Sequence, residues 1–237
     1  MKLILENWRQ YLKEQAELSP ESKIYCDMDG VLVNFADYTM ALVNDLIAGK
    51  DIPWPAEQTR GYRKRLRRIH NNDDLGPDFR VTDKEQLDEK EIKSFMFGVI
   101  GTNPGEFYLA MDPYQDGINE LWPALKATGR DVYILSAAVP TRTEEAMTSE
   151  EGKTEWVQKH GLDPIKTIIV QGDRKINAAQ RKAAYANTNG IVNILIDDKQ
   201  ENINAWISAG GIGILHTPGG SSATIQQLGA LFDETNT

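Results

Sequence analysis

Short apolar runs, each followed by a polar or amphipathic stretch, set the pattern of the second half of the chain. One run lies early, at residues 24–26, and four come later, at residues 132–135, 167–170, 192–196 and 212–215. Alternation of short apolar strands with helical segments is typical of a parallel sheet joined by crossover helices. The pattern therefore predicts an α/β fold with a Rossmann-like, three-layer parallel sheet of about five strands. Ligands of such sheets bind beyond the carboxyl ends of the strands.

A long segment separates the first predicted strand from the second, and one crossover connection needs far fewer residues. Helical spacing at residues 36–48 and an acidic helical segment at residues 83–97 predict that this segment forms an inserted, mostly helical cap. The chain opens with apolar positions at helical spacing, as at Leu5, Trp8 and Leu12, which predicts a separate amphipathic helix. The predicted domains are an N-terminal helix at residues 1–19, a core at residues 20–35 and 107–237, and a cap at residues 36–106.

The composition of the chain excludes several classes of protein. With 237 residues, 41% of them hydrophobic, the chain is long enough for a sizeable core and is not typical of disordered or fibrous proteins. The formal net charge of -9 argues against a general binder of nucleic acid or membrane surfaces. The single cysteine, Cys26, excludes an internal disulfide and fits a reducing compartment, so the expected location is cytoplasmic. No apolar run approaches the ~20 residues of a membrane span, and residues 1–15 lack the pattern of a signal peptide.

A basic stretch at residues 60–68 departs from the acidic balance of the chain, since six of its nine residues are Arg or Lys. Such a run is a solvated helix face paired with nearby acids, a phosphate-attracting face over a site, or a contact for a polynucleotide. The first of these is the commonest. Nucleic acid therefore stays open as a partner, although the net charge does not favour it.

Two carboxylates, Asp27 and Asp29, follow the first predicted strand and lie one residue apart. Gly30 allows a sharp turn directly after them, so both side chains are expected at the carboxyl edge of the sheet, facing one small volume. Two anions this close repel each other unless a cation or a shared proton compensates, and Mg2+ is the usual cation for oxygen ligands. The alternative is an Asx turn, in which Asp and Gly only shape a loop.

Three further features stand where a phosphate site would need them. The second strand ends in Ser136, whose hydroxyl can donate to a phosphate oxygen, and the small Ala137 lets a backbone amide approach an anion. A second carboxylate pair, Asp197 and Asp198, ends a later strand and can complete an oxygen-ligand cage. Lys153 opens a predicted helix and supplies a point charge that can offset a carboxylate and a phosphoryl group.

The order of these residues resembles the four sequence motifs of the haloacid dehalogenase (HAD) superfamily of phosphatases. The segments that carry the resemblance are residues 27–35, residues 135–136, Lys153 and residues 197–198. Within the superfamily the chain is most similar to the 5'(3')-deoxyribonucleotidases. The segments similar to that family are residues 27–35, 105–108, 153–157 with His160, and 194–198.

The resemblance implies a Mg2+-dependent phosphomonoester hydrolase with a HAD-like core and a cap. Asp27 would attack phosphorus and form an aspartyl-phosphate, while Asp29 would protonate the leaving alcohol and then activate water. The metal would be held by Asp27, the backbone carbonyl of Asp29 and Asp197, with Asp198 as a further ligand or as support. The residues implied to bind the substrate phosphate are Ser136, Ala137 and Lys153.

Four other residues are possible substrate contacts. Phe35 and Phe107 either stack on a nucleobase or anchor the core. Arg174 and Lys175 either meet the substrate or are solvated. The expected partner is a small phosphorylated substrate, a nucleotide by the resemblance, and two alternatives stay open. One is a polynucleotide 3'-phosphatase, suggested by the basic stretch, and the other is a non-catalytic nucleotide-binding protein with a HAD fold.

Overall fold

The structure, a computed structural model, describes residues 18–48, 50, 80–172 and 175–233. The predicted N-terminal helix at residues 1–19 lies almost entirely outside the described residues, and the basic stretch at residues 60–68 lies wholly outside them. Arg174 lies outside them as well. The expectations for these segments stay predictions.

Five strands form the main sheet, as the apolar pattern predicts. They are β1 (Ile24–Cys26), β2 (Val132–Ala137), β3 (Thr167–Val170), β6 (Ile194–Asp197) and β7 (Ile212–Leu215). Their order across the sheet is β3-β2-β1-β6-β7. The central strand β1 runs parallel to both neighbours, because Ile24 pairs with Val132 on one side and with Ile194 on the other. The prediction of an α/β fold with a Rossmann-like parallel sheet is confirmed.

The strand predicted at residues 192–196 differs from the structure, which interrupts it at Asn193. Two short strands, β4 (Asn187–Thr188) and β5 (Ile191–Val192), form an antiparallel hairpin before β6 begins. The turn between them, Asn189-Gly190, has φ values of 54° and 83°. Asn-Gly favours this left-handed conformation in two-residue hairpin turns, so the hairpin replaces the first part of the predicted strand.

The described residues also form α-helices, two of which overlap the segments predicted to be helical at residues 36–48 and 83–97. They are α1 (Phe35–Ile47), α2 (Lys90–Ile100), α3 (Pro104–Leu109), α4 (Trp122–Ala127), α5 (Ser149–Lys159), α6 (Ala178–Ala183), α7 (Gln200–Ser208) and α8 (Ser221–Asp233). A 3-10 helix (Glu85–Asp88) precedes α2, and a π-helical turn (Gly117–Leu121) leads into α4. Within the described parts of the chain, every helix is too short or too polar to cross a membrane.

The chain divides into two compact units. The first comprises Met1–Val31, Gln115–Ser136 and Pro164–Thr237, and the second comprises Leu32–Tyr114 and Ala137–Asp163. The first unit contains the sheet almost completely, since only the last residue of β2 falls in the second. The core and cap boundaries expected from the sequence stay a prediction.

Aromatic rings pack on the central strand of the first unit. Tyr25 stacks on Tyr133 with ring centroids 5.1 Å apart, and it meets Tyr185 and Trp206 at 5.6 and 5.4 Å. Trp206, from α7, donates its indole N–H to the backbone carbonyl of Asn193 at 3.1 Å. Burial raises the pKa of Tyr25 to about 12, so its hydroxyl stays neutral in this cluster. Because Tyr185 follows α6 directly, these contacts fix α6 and α7 against β1.

In the second unit, α5 is held at its start and along its length. Thr148 accepts a hydrogen bond from the amide of Glu151, and the Glu151 carboxylate accepts one from the Thr148 amide, which makes a capping box. Further along, Trp156 donates its indole N–H to the carbonyl of Met111 at 2.8 Å. Between Thr148 and Trp156, α5 packs closely against α3. A side chain on Gly152 in α5 would overlap the backbone of Gly105 in α3. The contact leaves no room for a methyl group at this helix crossing.

Gly152→Ala should destabilise the protein by about 1 to 3 kcal/mol, because the added methyl meets backbone that cannot rotate away. Gly229→Ala is the matched control, since Gly229 also lies in a helix and a side chain there has open space. The control should be neutral or gain up to about 1 kcal/mol from helix propensity. Urea unfolding monitored by tryptophan fluorescence measures both, and equal stability of the two variants would contradict the packing described.

Candidate active site

Asp27 stands directly after the central strand, at the carboxyl edge of the sheet. Its backbone amide donates to the carbonyl of Ile196 at 2.8 Å, which continues the pairing of β1 with β6. Its side chain is only 5% exposed. One carboxylate oxygen, Oδ1, accepts the backbone amide of Met28 at 2.7 Å. The other oxygen, Oδ2, lies 2.7 Å from the ammonium of Lys182. Asp27 is therefore held in one orientation by a backbone amide and a buried cation.

Lys182 joins the two acidic motifs of the chain. It comes from α6, its side chain is 1% exposed, and its ammonium lies 2.7 Å from both Asp27 Oδ2 and Asp197 Oδ2. Burial disfavours the charged amine, but the two carboxylates outweigh this effect and raise the pKa of Lys182 above its ordinary value. The amine is therefore charged at neutral pH, and it compensates two carboxylates that would otherwise repel each other.

Each oxygen of the Asp197 carboxylate accepts two hydrogen bonds. Oδ1 accepts from the backbone amide of Lys199 at 2.9 Å and from Asn202 Nδ2 at 2.8 Å. Oδ2 accepts from Lys182 at 2.7 Å and from Asn202 Nδ2 at 2.9 Å. Burial, together with the charge of Asp27, raises the pKa of Asp197 to about 6. The Asp197 carboxylate thus remains largely ionised at neutral pH. Its hydrogen bonds hold the Lys182 ammonium, the Lys199 amide and the Asn202 side chain in place.

Asp198 lies against the turn that follows β1. Gly30 has a φ of 79°, a conformation that glycine adopts without strain, and a side chain there would overlap the Asp198 carboxylate. Gly30 therefore does two things: it turns the chain after Asp29, and it leaves the space that Asp198 fills. Asp29 and Asp198 are both half-buried. The two Asp pairs, far apart in sequence, meet at one edge of the sheet.

Three of these carboxylates have the spacing that a metal ion needs. Oxygen atoms of Asp27, Asp197 and Asp198 all lie within 4.8 Å of one another. Hard carboxylate oxygens of this kind suit Mg2+. The donor set therefore fits the cation expected from the sequence.

Lys199 adds a second ammonium to the cluster. Desolvation opposes its charge, but the carboxylates of Asp27, Asp29 and Asp198 outweigh this and raise the pKa of Lys199. Lys199 is exposed to solvent, so its charge compensates the carboxylates less than that of the buried Lys182 does.

Ser136 reaches the same sheet edge from β2. Ile134 pairs with Cys26, so Ser136 lies two residues further along a strand next to β1. Its side chain is fully buried. Strands β2, β1 and β6 are neighbours in the sheet, and a residue of the predicted site lies at or next to the carboxyl end of each: Ser136, Asp27 and Asp197. The structure thus brings together in the first unit the predicted residues Asp27, Asp29, Ser136, Asp197 and Asp198.

Lys153 and Ala137 belong to the second unit and contact each other there. The Lys153 ammonium donates to the Ala137 carbonyl at 2.9 Å and lies 4.1 Å from the ring centroid of Tyr108. The side chain of Lys153 is fully buried. The expectation that Lys153 and Ala137 bind the substrate phosphate stays a prediction.

The other predicted contacts have different surroundings. Phe107 is fully buried and packs edge-on against Phe35 and Tyr38 at 5.8 and 5.3 Å, which fits the alternative that it anchors the core. Phe35 is only half-buried, so part of its ring stays accessible. Lys175 is exposed. A role of these three residues in substrate binding stays a prediction.

Sequence reasoning missed Lys182, Lys199 and Asn202. Lys182 carried a signal: Ala179, Lys182 and Ala186 follow helical spacing, and all three are buried. A lysine on the apolar face of a helix just before an acidic strand end indicates a buried ion pair. Lys199 and Asn202 carried none, because polar residues at the start of a helix are commonplace.

Comparisons with known proteins add only distant likenesses. The chain matches no family model and no curated protein. Among solved structures it is similar to a hydrolase from Streptococcus pneumoniae TIGR4, with a TM-score of 0.48 and 12% identity over 91% of this chain and 100% of that one. A haloacid dehalogenase-like family hydrolase from Streptococcus pneumoniae has a TM-score of 0.47 and 12% identity, over 88% of this chain and 90% of that one. A predicted phosphoglycolate phosphatase from Haemophilus somnus has a TM-score of 0.47 and 18% identity, over 84% of this chain and 87% of that one. Likenesses this distant do not indicate a function for the chain.

Lys182→Met should destabilise the protein by about 3 to 5 kcal/mol, because it leaves two buried carboxylates without their shared cation. Lys93→Met is the matched control: its ion pair with Asp88 is also 2.7 Å long, but both side chains are exposed. The control should lose less than about 1 kcal/mol. Urea unfolding in the absence of divalent cations gives both values.

The loss in Lys182→Met should shrink as the pH is lowered from about 8 to about 5. Without the lysine, the pKa of Asp197 in the folded state rises further above its unfolded value, so protonation favours the folded form. Adding Asp197→Asn should recover part of the loss for the same reason. A Lys182→Met protein as stable as its exposed control would contradict the ion-pair account.

Proposed function

We propose that the chain is a HAD-type phosphatase that hydrolyses phosphomonoesters through an aspartyl-phosphate on Asp27. The observation that carries the proposal is the buried Lys182 ammonium, which lies 2.7 Å from Asp27 and from Asp197 at the carboxyl end of the sheet. A carboxylate held in this way is ionised, oriented and shielded from water. Those are the properties that a carboxylate nucleophile requires.

The first half of the reaction transfers the phosphoryl group to the protein. An oxygen of Asp27 bonds to phosphorus while the bond from phosphorus to the alcohol oxygen breaks. Asp29 gives a proton to the departing alcohol. Ser136, at the end of the neighbouring strand, donates a hydrogen bond to a phosphoryl oxygen. The products of this step are the free alcohol and an acyl phosphate at Asp27.

The second half releases phosphate. Asp29, now a carboxylate, accepts a proton from a water molecule whose oxygen attacks phosphorus. The bond between phosphorus and Asp27 breaks, which restores the carboxylate and yields inorganic phosphate. Lys182 keeps its contact with Asp27 through both halves and limits the build-up of negative charge on that oxygen.

Asp27, Asp198 and the backbone carbonyl of Asp29 would hold Mg2+, and Asp197 would support them. Both oxygens of Asp197 already accept two hydrogen bonds each, which favours the supporting role for that residue. The cation, when bound, supplies the positive charge that offsets the carboxylates and the phosphoryl oxygens. The loop amides of Ala137 and its neighbours, and Lys153, complete the set assigned to the phosphate.

The proposed substrate is a nucleoside monophosphate, as for a 5'(3')-deoxyribonucleotidase. Support comes from the sequence similarity at residues 105–108 and 153–157. Of the two aromatic candidates, Phe35 is the better contact for a base, because its ring is partly accessible whereas Phe107 is fully buried. Lys175, exposed on a loop, is a candidate for a peripheral substrate contact.

The test is release of inorganic phosphate from a panel of nucleotides, sugar phosphates and p-nitrophenyl phosphate, with and without Mg2+. We expect Mg2+-dependent hydrolysis with the highest kcat/KM for a nucleotide. Asp27→Asn should remain folded and lose at least about a thousandfold in kcat. Asp37→Asn, an exposed residue in the first turn of α1, is the control and should keep full activity. Absence of hydrolysis across the whole panel would overturn the proposal.

A polynucleotide 3'-phosphatase is the second candidate, favoured by the basic stretch at residues 60–68. A 3'-phosphorylated oligonucleotide in the same panel separates the two functions. Higher activity on the oligonucleotide, falling steeply with added salt, would favour this candidate over the nucleotidase.

A further inference from the structure

We propose that Lys153 and Ser149 are positioning residues that clamp residues 137–139, the last residue of β2 and the first two of the loop after it, so that the backbone amides of this segment are oriented for phosphate. The inference rests on the proposed function, which assigns this loop to the phosphate. It gives Lys153 a role different from direct contact with the substrate: the lysine acts through the backbone of the loop.

The two side chains tie the loop at both ends. Lys153 donates to the carbonyl of Ala137 at 2.9 Å. The Ser149 hydroxyl accepts the amide of Val139 at 3.0 Å and donates to the carbonyl of the same residue at 2.7 Å. Residues 149 and 153 lie four apart on α5 and therefore on the same face of the helix. One helix thus holds three main-chain groups of a three-residue loop.

The backbone amide of Ala138 lies inside the clamped segment. Among the described residues, the amide of Ala138, between the two tied positions, donates to no protein acceptor. A trans peptide is planar, and its carbonyl and amide point in opposite directions. Tying the Ala137 carbonyl toward α5 therefore turns the Ala138 amide away from α5. An amide fixed in this way is an anion donor that needs no reorganisation when the ligand arrives.

The Lys153 ammonium that makes this contact lies in a buried environment. The side chain is fully buried, and the ammonium lies 4.1 Å from the centroid of the buried Tyr108 ring. Burial of an ammonium is costly, and methionine would fill a similar volume without that cost. Close packing of Gly152 on Gly105 and the capping box at Thr148 fix α5 on either side of the clamp. The clamp is therefore built on a rigid helix.

The experiment is a double-mutant cycle on Lys153→Met and Ser149→Ala. The measured quantities are the Kd of inorganic phosphate by calorimetry in the presence of Mg2+ and kcat/KM with p-nitrophenyl phosphate. Each single change should weaken phosphate binding and kcat/KM by about 10- to 100-fold, because the loop loses its orientation. The double variant should lose little more than the worse single variant, since release of either end already frees the loop.

Lys159→Met is the matched control. Lys159 lies on the same helix and also donates to a backbone carbonyl, that of Leu109 at 3.3 Å, but it is exposed. Its phosphate affinity and activity should be unchanged. Thermal unfolding of all variants separates loss of stability from loss of phosphate binding.

Three results would overturn the inference while leaving the phosphatase proposal intact, provided that the unmodified protein is active. The first is a Lys153→Met protein with unchanged phosphate affinity. The second is a fall in stability alone. The third is a double variant whose losses multiply, which is the result expected if Lys153 touches the phosphate directly. A protein that neither hydrolyses phosphomonoesters nor binds phosphate would overturn both proposals.

If Lys153→Met fails to fold, Ser149→Ala decides the question by itself. Phosphate should shift the 15N resonance of the Ala138 amide in the unmodified protein, and Ser149→Ala should reduce that shift together with the affinity. An equal shift and an equal affinity in the two proteins would overturn the inference.

Discussion

The structure of the candidate site depends on one buried ion pair, in which a single ammonium compensates two carboxylates. Lys182 contacts Asp27 and Asp197 at 2.7 Å, and all three side chains are almost completely shielded from solvent. Two carboxylates in such a place would repel each other without the cation, and one of them would take up a proton. With it, Asp27 keeps its negative charge and a fixed orientation. Metal binding, nucleophilic attack and release of phosphate all require that charged and oriented carboxylate.

The sheet explains how these residues meet. Strands β2, β1 and β6 come from distant parts of the chain, yet they are neighbours in one sheet and end at the same edge. A parallel sheet therefore brings residues at the ends of its strands together even when they are far apart in the sequence. The helix that carries Lys182 is fixed by the ring of Tyr185 against Tyr25 in the central strand. Packing of the aromatic core and the charge balance of the site are thus parts of one arrangement.

The sequence indicated the carboxylates that the structure brings together, but not the lysine that lies between two of them. Asp27 and Asp197 could be found because short apolar runs mark strands, and polar residues at strand ends follow from the same pattern. Lys182 carried a weak signal, its place among buried positions at helical spacing, but the carboxylates it contacts depend on which helix covers which strand. The sequence predicted that Lys153 opens a helix, but the helix begins at Ser149, and the contact of Lys153 with the carbonyl of Ala137 was not predicted. Strands and helices can be predicted from the sequence, whereas contacts between them can be identified only in a structure.

The same limit applies to the fold. The pattern gave the five strands but joined residues 192–196 into one, because a run of apolar residues outweighed the Asn189-Gly190 turn signal just before it. The hairpin matters little for chemistry, since β6 still ends in Asp197. An error in strand bounds at the start of a strand leaves the site at its end unchanged.

The most direct test of this account is to trap the covalent intermediate. The protein is mixed with a 32P-labelled phosphomonoester that it turns over and Mg2+, quenched in acid during turnover, reduced with borohydride and digested for mass spectrometry. The account predicts labelled protein before reduction and homoserine in place of Asp27 after it, within the tryptic peptide at residues 24–50. Turnover without any covalent label, or a label on a residue other than Asp27, would contradict it.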